Sequence, residues 1–145
     1  MTDLWDNLPL PIEFGSLDVW GGLINDLLEA CYSWTQTVQY AFPYRTPEVG
    51  LQECLINSDF DWTLKKITLK TSDSGTTVVL SPQIDGSNIT GATSLTVTST
   101  QSIVFPITNN IIAAGQDLNI SIASVVGSGR LIINFVGERN ALAAV

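Results

Sequence analysis

Apolar residues keep two different rhythms along this chain, and the rhythm changes near residue 60. Between Trp20 and Ala41 the positions Trp20, Ile24, Leu27, Cys31, Trp34, Val38 and Ala41 are separated by alternating steps of four and three. Those steps return a side chain to the same side of an α-helix, so the pattern predicts a helix that carries a seam for other helices. Ser16 or Asp18 is placed to cap the first turn, because a short side-chain oxygen accepts a hydrogen bond from a free first-turn amide. Pro43 is placed to end the helix near Phe42, since proline disfavours helical geometry in the residue before it. Gly21 and Gly22 weaken the start by about 1 kcal/mol each relative to alanine. Leu23 and Leu28 widen the stripe, which suits three or more helices around an axis or one helix lying on a larger apolar surface.

From Phe60 onward the apolar positions alternate instead. Phe60, Trp62 and Leu64 share one side, the phase slips at Lys65 and Lys66, and Ile67 and Leu69 resume it, as a β-bulge would produce. Short alternating runs follow at Val78 and Leu80, Ile84, Leu95 and Val97, Ile103, Phe105 and Ile107, Leu118, Ile120 and Ile122, and Leu131, Ile133 and Phe135. Turn-forming stretches separate them, among them Ser72 to Gly75, Asp85-Gly86, Thr90-Gly91, Asn109-Asn110, Ala114-Gly115 and Gly127 to Gly129. Short half-buried strands with frequent turns predict an antiparallel β-sandwich of jelly-roll type.

Ahead of the helix, Pro9, Pro11 and Gly15 interrupt Leu4, Trp5, Leu8, Leu10, Ile12 and Phe14. Such a segment forms neither a helix nor a paired central strand, so it is expected to lie extended as an apolar arm. Residues 44–59, with Pro47, Gly50 and the apolar patch Leu51, Leu55 and Ile56, read as a connector. The expected fold class is therefore mainly β: an N-terminal extended arm and single helix followed by an antiparallel β-sandwich. Residues 1–59 are arm, helix and connector for attachment and oligomerisation, residues 60–139 the sandwich, and residues 140–145 a tail.

Composition narrows the function. The hydrophobic fraction is 45% and the charged fraction 14%, so a core is expected under a surface carried by Ser, Thr, Asn and Gln. Fourteen acids against six Lys and Arg leave a net charge of -8, which repels a phosphate backbone and excludes direct nucleic-acid binding. The acidic start Met-Thr-Asp-Leu-Trp-Asp lacks the basic residues of a secretory signal, and no apolar run reaches the length of a membrane span. Cys31 and Cys54 are expected to be free thiols, with Cys31 packing on the seam.

Candidate chemistry is sparse. The chain has no histidine, which removes the usual general base and the commonest zinc ligand. No phosphate loop, dinucleotide fingerprint or nucleophile elbow occurs, so no catalytic residue, metal or cofactor is expected. Asn57, Asp59 and Asp61 open like a calcium loop, but Trp62 stands where the glycine belongs and Thr68 where the bidentate glutamate belongs. A hydrolase would have to work with carboxylates alone, drawn from Asp59, Asp61, Asp85 and Asp117. Asn88-Ile89-Thr90 and Asn119-Ile120-Ser121 match the glycosylation pattern, which matters only in a secreted eukaryotic chain.

Trp20-Gly21-Gly22-Leu23-Ile24-Asn25-Asp26-Leu27-Leu28 resembles the Trp-Gly opening common in bacteriophage tail-fibre proteins, where it begins a segment that trimerises. It departs from that pattern at Gly22 and Leu23, where a charged or polar residue is usual. Between Leu64 and Arg139, Ile67-Thr68-Leu69-Lys70-Thr71, Ile84-Asp85-Gly86, Ile89-Thr90-Gly91 and Ala114-Gly115-Gln116-Asp117-Leu118 look like the small β-sandwich modules of phage fibres and capsid decoration proteins. The resemblance implies a non-enzymatic virion component, assembled in the host cytoplasm, whose helical end attaches to other virion proteins and whose β end faces outward.

The same reading expects a homotrimer docked through Trp5, Trp20, Ile24, Leu27, Cys31, Trp34, Val38 and Ala41. The alternative is a host-receptor or carbohydrate-binding module, using Asp73, Ser74, Asp85, Ser87, Asn88 and Ser128 in loops at one end of the sandwich to grip a surface glycan.

Overall fold

The computed structural model describes Leu23, Ile24 and Asp26 together with residues 35–140. Leu23, Ile24 and Asp26 are helical and exposed. The apolar arm and the seam residues Trp5, Trp20, Leu27, Cys31 and Trp34 lie outside the described residues.

Ten strands make up the β body: β1 Thr35–Tyr44, β2 Gly50–Leu55, β3 Trp62–Thr71, β4 Thr77–Ile84, β5 Ser87–Asn88, β6 Leu95–Val97, β7 Ser102–Val104, β8 Ile111–Ile112, β9 Leu118–Val126 and β10 Leu131–Asn140. One antiparallel sheet has the order β1-β10-β3-β7, with β8 also on β3; the other has the order β2-β9-β4-β5, with β6 also on β4. The first strand thus pairs with the last and the second with the next to last, while β3 pairs with β7 and β8, and β4 with β5 and β6. These are the rungs of one long hairpin. Rolling it up adds the β3·β10 and β4·β9 pairings and gives the order of a jelly roll.

The helix expected to run to Phe42 is corrected over its last turns, because residues 35–44 are strand β1. Two periodicities compete there. The spacing of Trp34, Val38 and Ala41 fits a helix, but Val38, Tyr40, Phe42 and Tyr44 alternate, and the β-branched and aromatic content favours a strand. Pairing with β10 through ten rungs, from Thr35↔Asn140 to Tyr44↔Leu131, decides between them. In consequence Val38 is buried while Ala41 faces outward, so the two do not share a seam. Pro43 is tolerated because β1 is an edge strand. Part of the expected connector is also strand: Gly50–Leu55 pairs with β9.

The core lies between the two inner faces. From the sheet containing β3 come Val38, Trp62, Leu64, Ile67, Leu69, Leu131, Ile133 and Phe135, and from the other Val78, Leu80, Ile84, Val97, Leu118, Ile120 and Ile122. Tyr40 packs on Trp62 at 5.6 Å between ring centroids and Phe42 on Phe135 at 6.0 Å.

The slip read at Lys65 and Lys66 is a bulge. Val136 stands opposite Lys66 but Gly137 opposite Leu64, which leaves Lys65 as the extra residue and returns both halves of β3 to the core. Pro82 stands inside β4, where its carbonyl accepts the Ile89 N–H. Since N and C=O of one strand residue point the same way, its nitrogen faces the break between β5 and β6, where no ladder bond is lost.

One segment departs from expectation in its facing. Ile103, Phe105 and Ile107 alternate as predicted, but they are 50%, 66% and 71% exposed, and the half-buried Val104 between them is the residue packed against the core. Among the described residues no helix is long and apolar enough to cross a membrane.

Gly137 sits where β10 crosses the Trp62 ring. A Cβ there would fall on the Thr63 carbonyl oxygen and 2.6 Å from Trp62 Cε3, with backbone on one side and a fully packed ring on the other. Gly137→Ala is therefore expected to lower unfolding free energy by about 1–3 kcal/mol, as overpacking does, and urea denaturation followed by tryptophan fluorescence measures it.

Candidate functional site

The loop carboxylates come first, since only they offer acid chemistry. Asp85 Oδ1 accepts the Asp117 N–H at 2.8 Å, Asp117 Oδ1 accepts the Asn57 N–H at 2.7 Å, and Asp61 Oδ1 accepts the Ala114 N–H at 2.7 Å. Each carboxylate stitches one loop to another at the end of the body where β3 and β9 begin. Asp85 has a left-handed backbone with φ 47°, as does Asn57 with φ 53°, which short polar side chains tolerate in tight turns. Carboxylates engaged with backbone amides are spent on loop geometry rather than aimed at a shared cleft. Among the described residues no group of three or more His, Cys, Asp or Glu side chains is placed to hold a metal ion.

At the opposite end the turn between β3 and β4 is locked to the turn between β9 and β10. Gly129 N–H donates to Thr76 Oγ1 at 2.6 Å, Arg130 N–H to Ser72 Oγ at 2.8 Å and Gly75 N–H to Asp73 Oδ1 at 3.1 Å. The buried Thr71 hydroxyl lies 3.0 Å from the Thr76 carbonyl and 3.1 Å from the Asp73 carbonyl. Gly127, at φ 89°, and Gly129 have no room for a side chain against this clamp.

The candidate receptor loops do not share an end. Asp73 and Ser74, before β4, and Ser128, in the turn after β9, lie at the end where β4 starts, and Asp85, Ser87 and Asn88 lie where it finishes. An eight-residue strand keeps the two groups roughly 25 Å apart. Within the second group, Asn88 Oδ1 accepts Gln83 Nε2 at 2.8 Å and its carbonyl accepts Asn109 Nδ2 at 2.8 Å.

Two further features were missed by sequence reasoning. Arg139 lies 4.2 Å above the Phe60 ring and donates from Nε to Gln36 Oε1 at 2.8 Å, covering the open end of the core beside β1. These residues border an open groove of about 290 Å³ together with Thr37, Val38, Gln39 and Tyr40. The other feature is the pair formed by Tyr44 and Cys54, with the phenol oxygen 3.0 Å from Sγ. Burial pushes the Cys54 thiol up to about 11, with the bond from Tyr44 acting the other way, and burial likewise raises the phenol. A thiol held protonated at neutral pH is a poor nucleophile, so this pair packs rather than reacts.

The largest unexplained feature is apolar. Ile103 stands opposite Thr68 and Ile111 opposite Thr63, both on the outer side of their sheet. Between them, residues 105–109 leave the β3 ladder, which Asn110 rejoins at Leu64, and bond to the other sheet's loop: Thr90 N–H donates to the Thr108 carbonyl at 3.1 Å and Ile107 N–H to the Thr90 carbonyl at 2.9 Å. This crossing closes the side of the sandwich by backbone bonds while leaving Phe105, Ile107 and Ile111 each more than 60% exposed.

No protein-family model matches the chain, and no curated protein does. Solved structures do resemble it in shape. A chain in the acid-stable capsid structure of Helicobacter pylori bacteriophage KHP30 superposes with a TM-score of 0.50 at 9% identity, covering 74% of this chain and 95% of that one. A chain of the cyanophage Pam1 capsid asymmetric unit gives 0.49 at 12% identity over 72% and 84%. The infectious bursal disease virus VP2 subviral particle gives 0.33 at 13% identity, with 37% of that chain covered. At such identities the first likeness establishes the two-sheet fold alone.

Two measurements follow from this geometry. Thr76→Val keeps the shape but leaves the buried Gly129 N–H without an acceptor, and urea denaturation is expected to show a loss of about 1–3 kcal/mol. Alkaline titration should also weaken the fold. The unfolded thiol releases its proton near 9.0 and the folded one near 11, so the folded state holds a proton the unfolded state has lost, and stability falls as pH rises through that window. Urea midpoints taken from about pH 8 to about pH 11 are expected to drop, and less steeply in Cys54→Ala.

Proposed function

We propose that this chain is a non-enzymatic structural component of a bacteriophage virion. It docks on other virion proteins through its N-terminal arm and helix, projects the β body outward and assembles as a homotrimer. The observation that carries this reading is the exposed apolar side at Ile103, Phe105, Ile107 and Ile111 on a body whose Asp61, Asp85 and Asp117 carboxylates are already bonded to backbone. Among the described residues nothing covers that surface, and an assembly covers it. The rolled-hairpin order and the likeness in fold to a chain of a phage capsid support the same reading. So does the resemblance of Trp20 to Leu28 to a fibre segment that trimerises.

The receptor or glycan alternative draws less support, because β4 holds its two loop groups apart.

Sedimentation velocity of the full chain over about 1–100 µM tests the assembly. The expected result is a species of three chains, falling to smaller species when residues 1–34 are removed. A monomer throughout that range refutes the reading.

A further inference from the structure

One long stretch of the β body carries no charge. From Gly86 to Gln116 the chain contains no Asp, Glu, Lys or Arg. That stretch supplies β5 and β6 at the edge of one sheet and β7 and β8 at the edge of the other, so the uncharged sequence becomes one continuous flank of the sandwich. Ile103, Phe105, Ile107 and Ile111 stand out from this flank.

Among the described residues they cover nothing. The core beneath is sealed by Val104 and the fully buried Ile89, Ala92 and Ile112, and the two sheets are joined across the flank by the bonds between Thr90 and residues 107–108. Phe105 and Ile107 could be polar without exposing anything buried.

The distribution of charge indicates what covers them. Six of the fourteen acids (Asp3, Asp6, Glu13, Asp18, Asp26 and Glu29) and none of the six cations precede Thr35, so the remainder carries eight acids against six cations, a net of -2. Two such bodies repel only weakly, and at this flank no carboxylate of one copy is brought against a carboxylate of the other. Cores of protein interfaces share this depletion of charge and enrichment in aromatic side chains. A strongly basic partner would find no carboxylate in this stretch to pair with, and the nearest cations, Lys66 and Lys70 of β3, border it beside Ile103.

We propose that the flank formed by β5 to β8 is the surface on which a second copy of this chain docks, with Phe105 and Ile107 at its centre. This deepens the assembly reading above and rests on it.

The test is sedimentation velocity of the full chain, unmodified and as the double variant Phe105→Asp with Ile107→Asp. Leu51→Asp serves as the control, since Leu51 is also exposed, at 56%, but lies on the outer face of the other sheet. The double variant is expected to dissociate at concentrations at least tenfold above those at which the unmodified chain does, while Leu51→Asp assembles normally. Both keep the unmodified circular dichroism, because the changed side chains are exposed. Raised salt should strengthen assembly of the unmodified chain by screening the like charges that remain. An unmodified chain that stays monomeric overturns the assembly reading and this surface with it. A double variant that assembles like the unmodified chain overturns this surface alone. Should Phe105→Asp with Ile107→Asp lose its fold, Phe105→Ser alone carries the same comparison.

Discussion

Strands β9 and β10 each bond to a neighbour from early in the chain on either side, β10 to β1 and β3, β9 to β2 and β4. This is the constraint on which the body depends, because neither sheet exists until the C-terminal third of the chain has arrived. Before that, β1 and β3 have no common neighbour, nor do β2 and β4. Pairings this distant in sequence carry a large loop-closure cost, which only the burial of both inner faces offsets. Much of that burial falls on β10 itself, through Leu131, Ile133 and Phe135, all fully buried. Gly137 belongs to the same constraint: β10 can run between β1 and β3 only if its backbone passes flat against Trp62, and the bulge at Lys65 supplies the extra length that restores the register.

With the sheets so determined, the ends follow from bonding that is local in space. At one end carboxylates of Asp61, Asp85 and Asp117 accept backbone amides and so tie three loops together, and at the other hydroxyls of Thr71, Ser72 and Thr76 hold two turns together. Both sets tie backbone groups that strands cannot reach. A polar side chain already bonded to backbone presents fewer free groups to a ligand, so the residues that looked most chemical in the sequence turn out to maintain turn geometry.

How far this was legible in the sequence depended on which regularity a residue served. Alternation over Trp62 to Leu69, with its slip, encoded both the strand and the bulge, because each missed step must place a residue outside the core. Over 35–44 the sequence held two regularities at once. Val38 belonged to both, and only the ten-rung pairing with β10 selects the strand. Leu51, Leu55 and Ile56 concealed β2 because the register shifts between Glu53 and Leu55, which breaks the alternation over a strand only six residues long. The Tyr44 and Cys54 pair left no trace in spacing at all, since β1 and β2 belong to different sheets.

Ile103, Phe105 and Ile107 show a different limit, and it bears on function. Alternation states that residues share a side, not that the side is inward. Where apolar residues occupy both sides of a short edge strand, the smaller set can be the buried one, and here Val104 takes that place. The sequence already held the sign that the remaining three face something other than their own core: no charged residue accompanies them between Asp85 and Asp117. Exposed edge strands are usually guarded by charge against pairing with other chains. An edge that omits the guard and adds aromatic and β-branched side chains has the character of a surface meant to be covered, so where alternation leaves the facing open, the absence of charge is informative about assembly.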